Sequence, residues 1–76
     1  MMDLQSKAGA RLSVVVNGEP RTTAAHSLAE LVAEAGFAGS RVATAVNGDF
    51  VPERARADRQ LAEGDRIEIV SPRQGG

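Results

Sequence analysis

The sequence predicts an α+β domain: a mixed sheet of four to five strands with one main helix packed on one face. Three observations predict it. β-branched segments with apolar residues at period two flank a single segment whose apolar residues recur at helical spacing. Two Asn-Gly pairs, Asn17-Gly18 and Asn47-Gly48, each end such a β-branched run, and Asn-Gly between apolar runs is the strongest short hairpin signal. A last β-branched run, "RIEIV", comes after a polar excursion and must find its place in the same sheet, because 76 residues leave room for one core only.

The elements follow in order. "RLSVVVN" places Leu12, Val14 and Val16 on one face and Ser13 and Val15 on the other. The Asn17-Gly18 turn returns the chain as "RTTAA", expected to be an edge strand. Ser27 and Glu30 then form a capping-box pair at the start of a helix. Leu28, Leu31, Val32 and Ala35 make its apolar stripe, with Glu30 and Glu34 toward water, and Gly36 stands where a left-handed residue ends a helix. "RVATAVN" alternates Val42, Thr44 and Val46 against Ala43 and Ala45, and Asn47-Gly48 turns it into the short "DFVP", which Pro52 closes because it has no N–H to donate. The stretch "ERARADRQLAEGD" reads as mostly surface with Leu61 as its anchor in the core, and Glu63-Gly64-Asp65 as a turn. The final strand puts Ile67 and Ile69 on one face and is expected beside the first strand, in the middle of the sheet. That order is the β-grasp, or ubiquitin-like, arrangement. Residues 1–9 are expected to form a flexible N-terminal extension, 10–70 the β-grasp domain and 71–76 a flexible tail.

Composition narrows the function. Nine basic and ten acidic side chains give a net charge of −1, where a nucleic-acid binder would carry a basic excess. The arginines at 54, 56, 59, 66 and 73 are interleaved with acidic residues, the pattern of a mixed, solvated surface. With no tryptophan or tyrosine, and only Phe37 and Phe50 as rings, base-stacking platforms are lacking. The absence of cysteine removes disulfides, thiolate metal sites and thiol nucleophiles, and the single His26 cannot build a metal cluster. No apolar run approaches the about 20 residues of a membrane span, and the first ten residues lack the apolar core of a signal peptide. The expectation is a cytoplasmic protein, monomeric by itself, with no metal and no cofactor of its own.

The segment "SPRQGG" carries the chemistry. Glycine weakens strands and helices, so Gly75-Gly76 has no structural use there. A chain ending on that pair presents a carboxylate with no side chain beside it, anionic at neutral pH, that fits a narrow active site. The six residues 71–76 extend to about 20 Å, and Pro72 discourages folding back into the sheet. A carboxylate must be activated before it can donate its acyl group, most simply by forming an acyl adenylate with ATP. No phosphate-binding G-x-x-x-x-G-K-[ST] loop is present, so a partner enzyme must supply that step. Sulfur carried by a chain without cysteine would ride on the terminus, as a thiocarboxylate.

"VVVNGEP", the capped helix, "VATAVNGDFVP", "LAEGDRIEIV" and "GG", in this order over about Leu12 to Gly76, resemble the ThiS family, the sulfur carriers of thiamin biosynthesis. The resemblance implies that an E1-like adenylyltransferase similar to ThiF charges Gly76. It implies that sulfur derived from a cysteine desulfurase yields a C-terminal thiocarboxylate (1-thioglycine), and that a thiazole synthase similar to ThiG accepts it. On this reading the chain is a protein co-substrate rather than an enzyme, and Gly75 and Gly76 are the functional residues. Asn47, Val51, Pro52, Gly64 and Asp65 carry over as shaping the fold. Two features depart from the pattern: Glu53 stands between Val51-Pro52 and Arg54, and Pro72 precedes the glycines, as in the similar MoaD subunit of molybdopterin synthase. A MoaD-like carrier is thus the alternative, followed by a protein modifier or a non-catalytic β-grasp interaction module. Val15, Ala43, Ala45 and Val70 are expected on the sheet face opposite the helix as a partner-docking surface, with Arg73 steering the tail.

Overall fold

The computed structural model describes residues 11–71. The expected extension 1–9 and the tail beyond Ser71, with Arg73, Gly75 and Gly76, lie outside the described residues. Five strands, β1 (Leu12–Val16), β2 (Glu19–Thr23), β3 (Ala43–Val46), β4 (Asp49–Val51) and β5 (Arg66–Val70), form one sheet in the order β2-β1-β5-β3-β4. One helix, α1 (Leu28–Glu34), covers one face, and a 3-10 helix, Glu53–Asp58, fills the crossover to β5. β5 runs parallel to β1 and antiparallel to β3, in the middle of the sheet as the sequence predicted. This is the β-grasp architecture.

The core side follows the alternation. Val14, Val46, Val51, Ile67 and Ile69 are buried against Leu28, Leu31 and Val32 of α1, and Leu61 reaches in from the loop before β5. Burying each such side chain contributes on the order of 1.5–3 kcal/mol. Both hairpins close through two-residue turns, with Val16 opposite Glu19 and Val46 opposite Asp49. Asn17 and Asn47 each sit at φ 52°, followed by Gly18 at 85° and Gly48 at 88°, the double left-handed geometry that suits the sheet's twist.

β2 begins at Glu19, two residues before the expected "RTTAA", and ends at Thr23. The tight turn leaves no spare residues, so pairing starts at once and takes in Pro20. Pro20 lies opposite Val15, one step beyond the hydrogen-bonded pair that closes the turn, so its missing N–H falls on the solvent edge and costs no ladder bond. Ala25 is not in the strand: its N–H bonds the Thr23 hydroxyl at 2.9 Å and the chain turns into the helix.

The helix starts as predicted, with Ser27 Oγ accepting from the Glu30 N–H at 3.2 Å. The Glu30 carboxylate reaches one residue further than a standard capping box and accepts from the His26 N–H at 2.7 Å. At the other end Gly36 takes φ 94°, its N–H bonds Ala33 O and the Phe37 N–H bonds Val32 O, the Schellman closure. Glu34 is exposed, yet it accepts from Thr23 Oγ1 at 2.5 Å and pairs with Arg21 at 3.8 Å, tying the helix to the edge strand.

The crossover differs from the surface stretch expected. Arg56, read from sequence among solvated arginines, is only 9% exposed. Its Nε donates to Thr44 Oγ1 at 3.0 Å and its Nη2 to Val42 O at 2.7 Å, while Thr44 Oγ1 donates to Val51 O at 2.8 Å. The guanidinium thereby fastens the 3-10 helix across β3 and β4. Asp65 is buried too, accepting from the Ala62 N–H at 2.8 Å and from Asn47 Nδ2 at 3.0 Å.

Candidate functional site

Residues 72–76 follow β5 in the sequence, so the candidate site begins with what holds that strand. Its left neighbour, β1, ends at Val16, whereas β5 continues to Val70. The parallel ladder runs through Val15 N–H to Asp65 O and Asn17 N–H to Ile67 O, both at 2.9 Å. The next bond of a regular ladder would take the Ile69 N–H to the Asn17 carbonyl, which the left-handed turn directs elsewhere. The Asn17 side chain stands in for that missing peptide: Oδ1 accepts from the Ile69 N–H at 2.9 Å and Nδ2 donates to Ile69 O at 3.1 Å. Asn47 does the equivalent at the other end of β5. Its N–H bonds Arg66 O at 2.8 Å and its Oδ1 accepts from the Arg66 N–H at 3.0 Å. The strand that precedes the tail is thus clamped at its start and at its finish by the two turn asparagines.

The sheet face opposite α1 adjoins this strand's end. Register places Val15 beside Arg66, Ala45 between Glu68 and Phe50, and Ala43 beside Val70. All four residues proposed from sequence, Val15, Ala43, Ala45 and Val70, lie on this one face; Val15 and Ala45 are half-buried and Ala43 and Val70 exposed. The face also carries Phe50, 68% exposed, next to Ala45, while Val70 is 57% exposed. The alternation of "DFV", with Val51 inward, turns Phe50 outward. Phe37, by contrast, packs against the core. Arg66 and Glu68, exposed on the central strand β5, stand between Val15 and Ala45 and place charge within this face. His26 is exposed and uses only its backbone in the helix cap. Among the described residues no group of three or more His, Cys, Asp or Glu is arranged to hold a metal, and no helix is long and apolar enough to cross a membrane.

The ThiS family model matches residues 14–76. The chain belongs to the ThiS family. The match runs through β5 and includes the Gly75-Gly76 pair. The sulfur carrier protein ThiS of Thermus thermophilus is 36% identical over 63 residues, covering 83% of this chain and 98% of that relative. The crystal structure of the thiamine biosynthesis protein ThiS from Geobacter metallireducens is similar with a TM-score of 0.69 and 26% identity, over 79% of this chain and 93% of that one. The family and its carrier, non-catalytic character agree with the resemblance seen in the sequence.

Proposed function

We propose that this ThiS-family chain carries sulfur on the carboxyl group of Gly76 for formation of the thiazole of thiamin, in the cytoplasm and as a monomer between encounters. In the first step a Gly76 carboxylate oxygen attacks the α-phosphorus of ATP held by an E1-like, ThiF-like adenylyltransferase, and pyrophosphate leaves. In the second, a sulfur nucleophile supplied through a cysteine desulfurase attacks the acyl carbon and AMP leaves. Sulfur that arrives as a persulfide gives an acyl disulfide, which a thiol then reduces to free the thiocarboxylate. A ThiG-like thiazole synthase takes the sulfur onward. Gly75 keeps the last peptide slim enough to enter such enzymes, and Arg73 guides the tail toward an acidic entrance. ATP binds the activating partner, and this chain holds no cofactor.

The observation that carries the proposal is the family match extending through residue 76, which takes in the diglycine that follows the clamped β5 in the sequence. The face bearing Val15, Ala43, Ala45, Val70 and Phe50 is the surface on which the partners would rest while the tail is threaded. The test is intact-mass analysis of the chain after incubation with an activating enzyme, ATP and a sulfur source. The expected product differs by one sulfur in place of one oxygen, localised to Gly76. Deletion of Gly76 should abolish both this change and sulfur delivery to a thiazole synthase. Delivery at the normal rate without Gly76 would overturn the proposal, and a thiocarboxylate refused by thiazole synthase but accepted by molybdopterin synthase would overturn its pathway.

A further inference from the structure

Away from the outer sheet face, a recess of about 490 Å³ opens between the C-terminal half of α1, the 37–41 loop and the 3-10 helix. Its volume lies within the about 300–1,000 Å³ of small-molecule sites. Val32, Ala33 and Phe37 supply apolar wall, and two arginines, Arg41 and Arg56, line it. The two differ in kind. Arg41 is exposed, whereas Arg56 is a buried cation whose Nε and Nη2 are taken by neutral acceptors, Thr44 Oγ1 and Val42 O.

Among the described residues the one ion pair is Arg21 with Glu34, so no carboxylate there neutralises Arg56. A guanidinium has five N–H donors in a planar fork, and its Nη1 has no partner among the described residues. Among the described residues no side-chain nitrogen or oxygen is both buried and unpartnered, so Nη1 stays accessible, and the field of a cation in a half-enclosed recess is less screened than on an open surface. Glu53 also lines the recess, but it is exposed and lies beyond ion-pair distance of either arginine.

We infer that this recess is an anion site, taking a carboxylate or phosphate group borne on a small apolar body, with the oxyanion toward Arg56 and Arg41 and the body against Val32, Ala33 and Phe37. Neither headgroup chemistry involves Gly76, so the site stands or falls independently of sulfur carriage.

The test is a titration of the ¹⁵N-labelled full chain with hexanoate and with hexyl phosphate, followed by amide and arginine Nε shifts. Hexanol and sodium chloride at matched ionic strength serve as controls. Saturable shifts at Gly39, Ser40, Arg41 and the Arg56 Nε are expected with at least one anion and with neither control, and the tighter anion identifies the headgroup. Because Arg56 also holds the fold, the exposed neighbours carry the mutational arm. Arg41→Gln should weaken binding about tenfold through loss of a charge-assisted bond. Glu53→Gln should tighten it about two- to threefold by removing a like charge. Non-saturable shifts, shifts shared with hexanol, or an affinity unmoved by both substitutions would overturn the inference.

Discussion

Replacing Asn17 by glycine isolates what its side chain does beyond the turn. Glycine occupies φ 52° without strain, so the hairpin keeps its geometry, while both bonds to Ile69 disappear. Each bond contributes about 1 kcal/mol net, and the added backbone freedom of glycine costs about 0.5–1 kcal/mol more. The expected loss is therefore about 2–3 kcal/mol, from a total of about 4–11 kcal/mol for 76 residues. Guanidinium unfolding followed by far-UV circular dichroism measures it, since the chain has no tryptophan or tyrosine to report by fluorescence.

Amide exchange sharpens the test. Residues 67 and 69 of β5 face β1, and the Ile69 N–H has Asn17 Oδ1 as its acceptor. A loss of 2–3 kcal/mol speeds globally exchanging amides by about 30- to 140-fold, at 1.4 kcal/mol per factor of ten. Ile69 should accelerate by more than that, because its own acceptor is gone, while Ile67 should follow the global change. Asn17→Asp retains an oxygen acceptor and tolerance of the left-handed region, so Ile69 should stay protected there. If Ile69 in Asn17→Gly merely keeps pace with Ile67, or stability moves by less than about 0.5 kcal/mol, the asparagine is not the clamp that ends β5.

Three further outcomes follow from the same contacts. Thr44→Val keeps shape but leaves Arg56 Nε without its acceptor and removes the hydroxyl's bond to Val51 O, and should cost about 2–4 kcal/mol in chemical unfolding, with a clearly sub-additive double mutant with Arg56→Met. Ser27→Ala removes the acceptor of the Glu30 N–H and should lower stability by about 1 kcal/mol, read as a shifted denaturation midpoint at unchanged slope. Phe50→Ser should leave stability within about 0.5 kcal/mol because the ring is 68% exposed, yet weaken calorimetric affinity for the activating enzyme about tenfold or more if that face is the docking surface.

Signals confined to neighbouring residues were legible in the sequence. The capped helix, both Asn-Gly turns, the inward set of each strand and Leu61 all depend on spacings of a few residues, and the structure holds each of them. The place of β5 followed from topology, since a returning strand fills the gap beside β1. What escaped was long-range and polar. Arg56 lies in a run of alternating charges that has the composition of a solvated surface, and only its bonds to Val42 and Thr44, 14 and 12 residues away, reveal it as interior. Phe50 could have been found, because a strand that turns Val51 inward must turn its neighbour outward.

The two asparagines show where the boundary falls. By the rules of hairpins Asn-Gly and Gly-Gly are near equivalents, since both meet the demand for positive φ. Nothing within the turn distinguishes them. The distinction comes from β5, whose Ile69 lies 52 residues from Asn17 and whose Arg66 lies 19 residues from Asn47. A turn residue that also completes a neighbouring ladder is chosen by two constraints at once, one local and one conferred by the assembled sheet. For a protein proposed to act through the segment beyond β5, the second constraint is the one that couples fold to function. It holds β5 in place up to the residues that precede that segment.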